Sequence, residues 1–394
     1  MFDHDADTAP MQQPQRLPLR FVGSGSEYFR IWIVNLLLTL VTLGIYYPFA
    51  KVRKLKYFHV SIEVGGHPLS FHADPWKMVR GYALVAVLTG AYALAGRVSP
   101  VAGLVAFLIL ATVWPALWRA SLRFRLANTG WLGLRARFAG GLPGAYGTML
   151  PIFVPTLLLI VSAWIYTPAS GAQTSAGPPP APNLGMLLPL MLVVVAVPVA
   201  LWAMKRYQHN HYSFAGESSR FGASVASFIW LFLRGAGVSL LAWLAFALVA
   251  AAVIMLAAAT GVNMRGLRPT VAMAGPLVIG LLAVLAMQAF IKPWFTARLQ
   301  NLVWNGTRSA HFSFESRLRF RSLAWLTAKN WLLIIATLGL YFPFAVMRTL
   351  KLRVEALTLI SSVELGALAA SAAVRDESAV GDAAGDFLGI DIGL

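Results

Sequence analysis

The stretch that decides the fold is Thr42-Leu43-Gly44-Ile45-Tyr46-Tyr47-Pro48-Phe49-Ala50, because the chain writes it twice. Near the other end stands Thr337-Leu338-Gly339-Leu340-Tyr341-Phe342-Pro343-Phe344-Ala345. Asn35 and Asn330 precede the two copies, and Arg53, Lys56 and Arg348, Lys351 follow them, all at one constant offset without a gap. Self-similarity of this kind marks an internal repeat. A weaker echo runs between the copies. Apolar segments end near Pro48, Pro115, Pro198, Pro293 and Pro343, each followed by a basic residue: Arg53, Arg119, Lys205, Arg298 and Arg348. After the first four comes a polar stretch and then an aromatic one, Leu69-Ser70-Phe71, Arg137-Phe138, Tyr212-Ser213-Phe214 and Phe312-Ser313-Phe314. The alternation His311-Phe312-Ser313-Phe314-Glu315 is a strand signal. Phe21-Val22-Gly23, Phe138-Ala139-Gly140 and Phe214-Ala215-Gly216 open the next units.

Composition says what solvent these units meet. Hydrophobic residues are 58% of the 394 and charged residues only 12%, too little charge to cover a soluble protein of this size. Runs such as Leu104–Leu117, Leu187–Met204, Val238–Ala259 and Pro276–Phe290 with their flanks reach the roughly 20 residues that cross a bilayer. The net charge of +17 would suit nucleic acid, but Lys and Arg cluster at helix ends, which is the positive-inside pattern of membrane proteins. The expected partner is therefore the bilayer, with anionic lipids drawn to the basic side, and no nucleic acid. With no cysteine, disulfides, thiolate metal sites and thiol nucleophiles are excluded. Asp3, Asp5 and Asp7 stand where a signal peptide would carry basic residues.

The expected fold is an all-α polytopic membrane protein with six to eight membrane helices, internal repeats and short β ribbons on the cytoplasmic face. The ribbons could assemble into one small sheet or barrel. Six spans pair as hairpins: 79–96 with 101–118, 148–166 with 184–204, and 236–259 with 273–295. The outer loops are Arg97–Pro100, Thr167–Asn183 and Gly261–Thr270, the middle one a Pro-rich flexible linker over Gly171–Pro180. Residues 1–20 read as a disordered tail, 21–353 as the membrane domain, and 354–394 as an acidic cytoplasmic tail, either docked on the basic face or solvated. Within it, Val354–Ala373 suits a strand or an amphipathic helix. The two motif segments, 31–50 and 328–347, pose a conflict. Arg317, Arg319 and Arg321 precede the second and Arg348, Lys351 and Arg353 follow it, so a simple crossing puts one basic cluster outside. Each segment either spans against the charge rule or re-enters by turning at Gly44 or Gly339, which needs its irregular backbone buried in protein or facing a cavity.

The arrangement Phe21-x-Gly23, Glu27-Tyr28-Phe29, Trp32, Asn35, then Thr42-Leu43-Gly44-Ile45-Tyr46-x-Pro48-Phe49-Ala50-x-Val52-Arg53, resembles the YjgN-like family of bacterial inner-membrane proteins. Arg125-Leu126-Ala127-Asn128-Thr129 and the ending Asp386-Phe387-x-x-Ile390-Asp391-Ile392-Gly393-Leu394 share the resemblance, which covers nearly the whole chain. Phe49 departs from the tryptophan expected there. The resemblance implies a multi-pass protein of the inner membrane and supplies no catalytic or binding residues.

No constellation for chemistry emerges. The 15 acidic residues all fall in tails, loops or interfaces, which argues against a carboxylate relay through the bilayer. His209-Asn210-His211 lacks the partner spacing of a metal site and reads as interface polarity. Gly23-Ser24-Gly25-Ser26-Glu27 reads as a turn and helix cap, and Asn305-Gly306-Thr307 as a turn between strands. Tyr57, Phe58, Trp118 and Trp131 read as headgroup-level anchors. No enzyme, cofactor or metal is expected. The candidate functional residues are the paired motifs: Asn35, Thr42, Gly44, Tyr46 and Pro48 with Asn330, Thr337, Gly339, Tyr341 and Pro343. One reading has the asparagines bonding across a symmetric interface while glycine permits close packing. The other has the two segments lining a path or lipid groove, with Arg53, Lys56, Arg348 and Lys351 receiving an anionic headgroup. The leading function is thus transport or lipid handling. Its competitor is a scaffold whose basic face binds anionic lipid or a protein partner.

Overall fold

The structure, a computed structural model, describes residues 14–166, 184–259, 289–364 and 366–367. Along them the order strand, helix, helix, strand comes five times. The first passage is β1 (Gln15–Phe21), α1 (Gly25–Val41), α2 (Tyr47–Val60) and β2 (Ile62–Val64). A hairpin returns through β3 (His67–Pro68) into β4 (Ser70–Phe71), which opens the second passage with α3 (Pro75–Val98), α4 (Pro100–Ala127) and β5 (Thr129–Trp131). Next, β6 (Leu134–Arg135) runs into β7 (Arg137–Phe138), α5 (Leu142–Tyr166), α6 (Leu184–Asn210) and β8 (Tyr212–Phe214). The fourth passage follows β9 (Glu217–Ser218) and β10 (Arg220–Phe221) with α7 (Val225–Ala259), α8 (289–305) and β11 (Thr307–Arg308). The last is β12 (Phe312–Ser316), α9 (Phe320–Ala336), α10 (Phe342–Val354) and β13 (Leu357–Ser361).

The strands close into one antiparallel ring. Hydrogen-bonded neighbours run β10-β11-β12-β13-β1-β2-β3, β4-β5-β6 and β7-β8-β9. The breaks between these sets are bends within single strands. Leu69 joins β3 to β4 and donates its amide to Ile62 O at 2.9 Å; Ala136 donates to Thr129 O at 2.9 Å and Ser219 to Tyr212 O at 2.8 Å at the other two bends. Closure gives β1, β12 and β13 a partner on both sides, while the short strands at the bends each pair on one side. Alternate residues point inward: Leu17, Leu19 and Phe21 on β1, and Leu357 and Leu359 on β13. The ring is filled by Val64, Trp131, Phe312 and Leu359, with Leu17, Leu19, Leu69, Leu132, Phe214 and Phe314 packed on them. Tight turns supply part of this filling. Leu132-Gly133 and Ala215-Gly216 carry φ of 54° and 80°, and 54° and 83°, the two-positive-φ geometry that matches strand twist in a two-residue hairpin. Trp131 is therefore a core residue of the ring and not a headgroup anchor.

The helices form a second ring over the first. Trp118 of α4 meets Tyr207 of α6 with ring centroids 5.4 Å apart, and His209 of α6 meets Trp304 of α8 at 5.5 Å. Gln300 of α8 donates to Arg353 O of α10 at 2.9 Å. Val52 of α2 shares an apolar cluster with Phe124 of α4, and Tyr57 and Phe58 share another with Met347 and Val354 of α10. The second helices of the five passages thus stand in a closed circle, each ending at the strand ring. One bond recurs where each passage returns to that ring: Val22 N to Ser61 O, His72 N to Asn128 O, Ala139 N to His211 O, Gly222 N to Gly306 O and Arg317 N to Ala356 O. Pro48, Pro115, Pro198, Pro293 and Pro343 each stand thirteen residues before these acceptors (48 to 61, 115 to 128, 198 to 211, 293 to 306, 343 to 356). The prolines therefore mark one level, about 20 Å above the ring at the α-helical rise. Apolar runs stop near them, but the helices do not. Pro115 and Pro198 lie inside α4 and α6, while Pro48 and Pro343 lie in the first turns of α2 and α10. A proline in a first turn costs nothing, because that N–H has no helical partner anyway.

Five helices among the described residues are long and apolar enough to cross a membrane: Pro75–Val98, Pro100–Ala127, Leu142–Ala163, Gly185–Asn210 and Val225–Val249. At most 17% of each window is buried, and leucines and valines cover the outward surface, so only a hydrocarbon solvent suits it. The expected partner span over 273–295 lies largely outside the described residues, as do the loops Thr167–Asn183 and Gly261–Thr270. Two tail boundaries shift. Residues 15–20 belong to β1 and residues 357–361 to β13, because each strand satisfies the other's backbone in the ring. The acidic end beyond 367 is outside the described residues. Asn305-Gly306-Thr307 joins helix to strand, and Asn305 pins Ser316 of β12 by its side chain.

Candidate functional site

Both motif segments are helical hairpins with both feet on the strand ring. The arms α1 and α2 have 17 and 14 residues, and α9 and α10 have 17 and 13. At 1.5 Å per residue the arms are about 20–25 Å long, short of the ~30 Å hydrocarbon core. The turn between them is Thr42–Tyr46 in the first hairpin and Thr337–Tyr341 in the second.

The motif residues make that turn. Thr42 Oγ1 donates to Leu38 O at 2.7 Å and accepts from Tyr46 N at 3.0 Å, so one hydroxyl ends α1 and starts α2. Thr337 repeats both bonds, to Leu333 O at 2.7 Å and from Tyr341 N at 3.0 Å. Gly44 N reaches back to Thr39 O and Gly339 N to Ile334 O, each at 2.7 Å, the six-to-one closure that caps a helix end with a left-handed residue. Gly44 holds φ 92° and Gly339 φ 94°. A Cβ at either would meet nothing within 4 Å. The glycines serve backbone conformation and not close packing, which corrects the sequence expectation. Leu43 and Leu338 are also left-handed, with φ of 49° and 48°, a region unfavourable to a bulky side chain. They stand 93% and 95% exposed at the hairpin tips. Val41, Ile45 and Leu340 extend the same exposed apolar cap.

Asn35 and Asn330 tie the arms together. Asn35 Nδ2 donates to Ala50 O at 3.4 Å, and Asn330 Nδ2 to Ala345 O and Thr349 Oγ1, both at 3.3 Å. Each works within its own hairpin, so the expected bond across a symmetric interface is not made. Both Oδ1 atoms are buried without a partner, as is Tyr341 OH. Tyr46 stacks on Phe49 at 5.7 Å and Tyr341 on Phe344 at 5.6 Å; Phe49, the residue that departs from the family pattern, also meets Trp76 edge-on at 5.2 Å. The hairpins are neighbours, with Phe29 against Phe344 at 5.6 Å and Trp32 against Phe342 at 6.3 Å.

Below the tips lie the cations. Arg53 and Lys56 are exposed one turn apart on α2, so they share a face. Arg348 sits over the Tyr341 ring at 5.6 Å, and Lys351 faces Glu355 at 3.8 Å. Of the four, Lys351 alone pairs with a carboxylate among the described residues. Tyr57, read as an anchor, instead bonds Ser24, accepting from its amide at 2.8 Å and donating to its carbonyl at 2.9 Å. Ser24 is the N-cap of α1 but makes no side-chain cap bond. His209 is buried and bonds Thr307 Oγ1 at 2.9 Å, pinning α6 to β11; it belongs to the packing and not to interface polarity.

A family model described as "Bacterial protein of unknown function (DUF898)" matches residues 16–387. Among curated proteins, the inner membrane protein YjgN of Escherichia coli strain K12 is 31% identical over 146 residues, 36% of this chain and 35% of that protein. Its counterpart in Salmonella typhimurium is 29% identical over 146 residues, 36% and 37% of the two chains. The matched stretch thus spans about a third of the curated relatives' length. No solved structure matches the chain. Taken with its apolar helices, these relatives place the chain in the inner membrane as a multi-pass protein.

Proposed function

The chain belongs to the DUF898 family of bacterial proteins, and from that premise we propose that it handles lipid in the inner membrane, with no enzymatic step. In this reading α3 to α7 are full spans, the apolar sequence 273–295 supplies a sixth, the five passages are copies of one unit, and the basic strand ring faces the cytoplasm. The two motif hairpins re-enter from that side. Being short and adjacent, they leave the far leaflet beside them without helix, and a lipid can enter there laterally. Arg53, Lys56 and Arg348 meet its phosphate. The observation that carries the reading is the pair of exposed leucine tips, Leu43 and Leu338, on hairpins whose feet share one ring. Re-entry also resolves the charge conflict, since both basic flanks of each hairpin stay on one side.

The alternative is a scaffold that binds anionic lipid without moving it. The filled interior of the strand ring favours it over a solute channel. Fluorescent-lipid redistribution between leaflets of proteoliposomes distinguishes the two. Lipid handling predicts redistribution above protein-free vesicles that falls when Arg53, Lys56 and Arg348 become glutamine. Redistribution at the protein-free rate overturns it and leaves the scaffold.

A further inference from the structure

A second group of cations alternates with Arg53 and Lys56 along α2 and continues onto α4 and α6, which stand beside it in the inner helix circle. Lys51, Lys54 and Lys205 are half-buried, and Arg125 is exposed between them. Arg125 is near enough to repel both Lys51 and Lys205, and Lys51 repels Lys54. The packing agrees: Val52 and Leu55 of α2 share a cluster with Phe124 of α4, and Leu122 and Trp118 of α4 share another with Tyr207 of α6. The cations' own partners are neutral. Lys51 Nζ donates to Tyr82 OH at 2.7 Å, Lys205 Nζ to Gln208 Oε1 at 3.0 Å, and Arg125 Nε to Ser121 O at 3.3 Å. None of the four has a carboxylate partner among the described residues, whose ion pairs lie elsewhere: Glu315 with Arg16 and Arg317, Glu217 with His311, Glu355 with Lys351. Partly buried charges of one sign without a counter-charge are costly. Positive-inside topology explains cations at a membrane surface. It does not explain half-buried lysines on two helices flanking an arginine on a third.

We propose that Lys51, Arg125 and Lys205, with Lys54 beside them, form a binding site for a phosphate-bearing anion, whose charge supplies the missing counter-ion. The site stands on these residues whether or not the hairpin tips engage lipid. Its source is a phospholipid headgroup or free phosphate, since the chemistry recognised is the same.

The test uses the full chain in nanodiscs of phosphatidylcholine alone, the same lipid with phosphatidylglycerol, and the same lipid with inorganic phosphate at constant ionic strength. Thermal stability is read for wild type, Arg125→Gln, Lys205→Gln and the double variant. Wild type is expected to gain stability with phosphatidylglycerol or with phosphate; the first alone identifies a headgroup, and the second a free anion. Each glutamine should weaken the apparent affinity for the stabilising anion about tenfold, the size of one charge-assisted hydrogen bond. In phosphatidylcholine alone the double variant should be at least as stable as wild type, because mutual repulsion is relieved. No anion-dependent gain in wild type overturns the proposal, as does a gain retained by the double variant. A double variant less stable than wild type in phosphatidylcholine alone also overturns it, because the cations would then serve the packing. Lipid redistribution tests the hairpins and is not read here, so the two proposals fail separately.

Discussion

Replacing both tip leucines, Leu43→Asn with Leu338→Asn, makes a test in which the two possible solvents predict opposite signs. Each leucine holds a left-handed φ and is 93% or 95% exposed, so substitution removes almost no protein contact. Left-handed backbone costs a bulky residue roughly 1–2 kcal/mol, and asparagine tolerates it better than most. With the tips in water the double variant would therefore be neutral or up to about 1 kcal/mol more stable. With the tips in hydrocarbon, each change forfeits roughly 2 kcal/mol of leucine burial and adds roughly 1–3 kcal/mol for an amide without partners. After strain relief the loss is on the order of 2–4 kcal/mol per tip. Equilibrium unfolding of the full chain in lipid nanodiscs reads the sum. A double variant as stable as wild type, or more so, refutes the membrane-dipping hairpins. Because the chain has no cysteine, a single cysteine at position 43 or 338 carries a label without further change, and quenching by lipids tagged at known depth gives an independent reading.

Gly44→Ala and Gly339→Ala should each destabilise by about 1–2 kcal/mol despite the open space around them, since the cost is conformational; Gly44→Asn should recover part of it. Asn35→Leu with Asn330→Leu should leave a folded protein, because only long hydrogen bonds of 3.3–3.4 Å are lost and two unpartnered buried oxygens are removed with them; abolished lipid redistribution would then assign the asparagines to the path, and a normal rate would remove them from it. At the ring, burial tends to raise the Glu217 carboxyl, but bonds from the His311 ring and amide and from Ser309 outweigh this and hold it below its ordinary value. Its folded pKa is thus depressed, so its contribution is present above the ordinary carboxylate range and is lost as pH falls through the lowered value. The acid limb of a stability–pH profile should flatten in Glu217→Gln; an unchanged limb contradicts the assignment.

Much of this architecture is legible in the sequence, and the gaps have physical causes. The long spans show as apolar runs, and the duplicated motif shows by identity at one offset. The turn inside each motif was open to the same reading. Glycine just after an apolar helix and proline four residues later are the stop and start signals of two helices, yet a 20-residue apolar run also has the length of one span. Charge sidedness exposed the conflict, and in the structure each segment turns back at a left-handed Leu-Gly pair that no hydropathy window registers. Trp131 misleads because a tryptophan beside arginines resembles an anchor, whereas the Leu132-Gly133 turn folds it into the ring. Strands of two or three residues carry almost no periodicity, so β6 and β11 could only be placed by their neighbours. The grouping of Lys51, Arg125 and Lys205 comes from helices far apart in sequence, and no local pattern announces it.

The join between β1 and β13 has a consequence for biogenesis. Residues 15–18 pair with residues 358–361, so among the described strands the first to be made waits for the last. While the ribosome feeds the intervening helices into the bilayer, β1 has only β2 beside it, and β12 has only β11. Both keep an open, adhesive edge. The circle locks when Leu357–Ser361 emerges, and a chain broken off before that point would carry its helices but keep two unsatisfied edges.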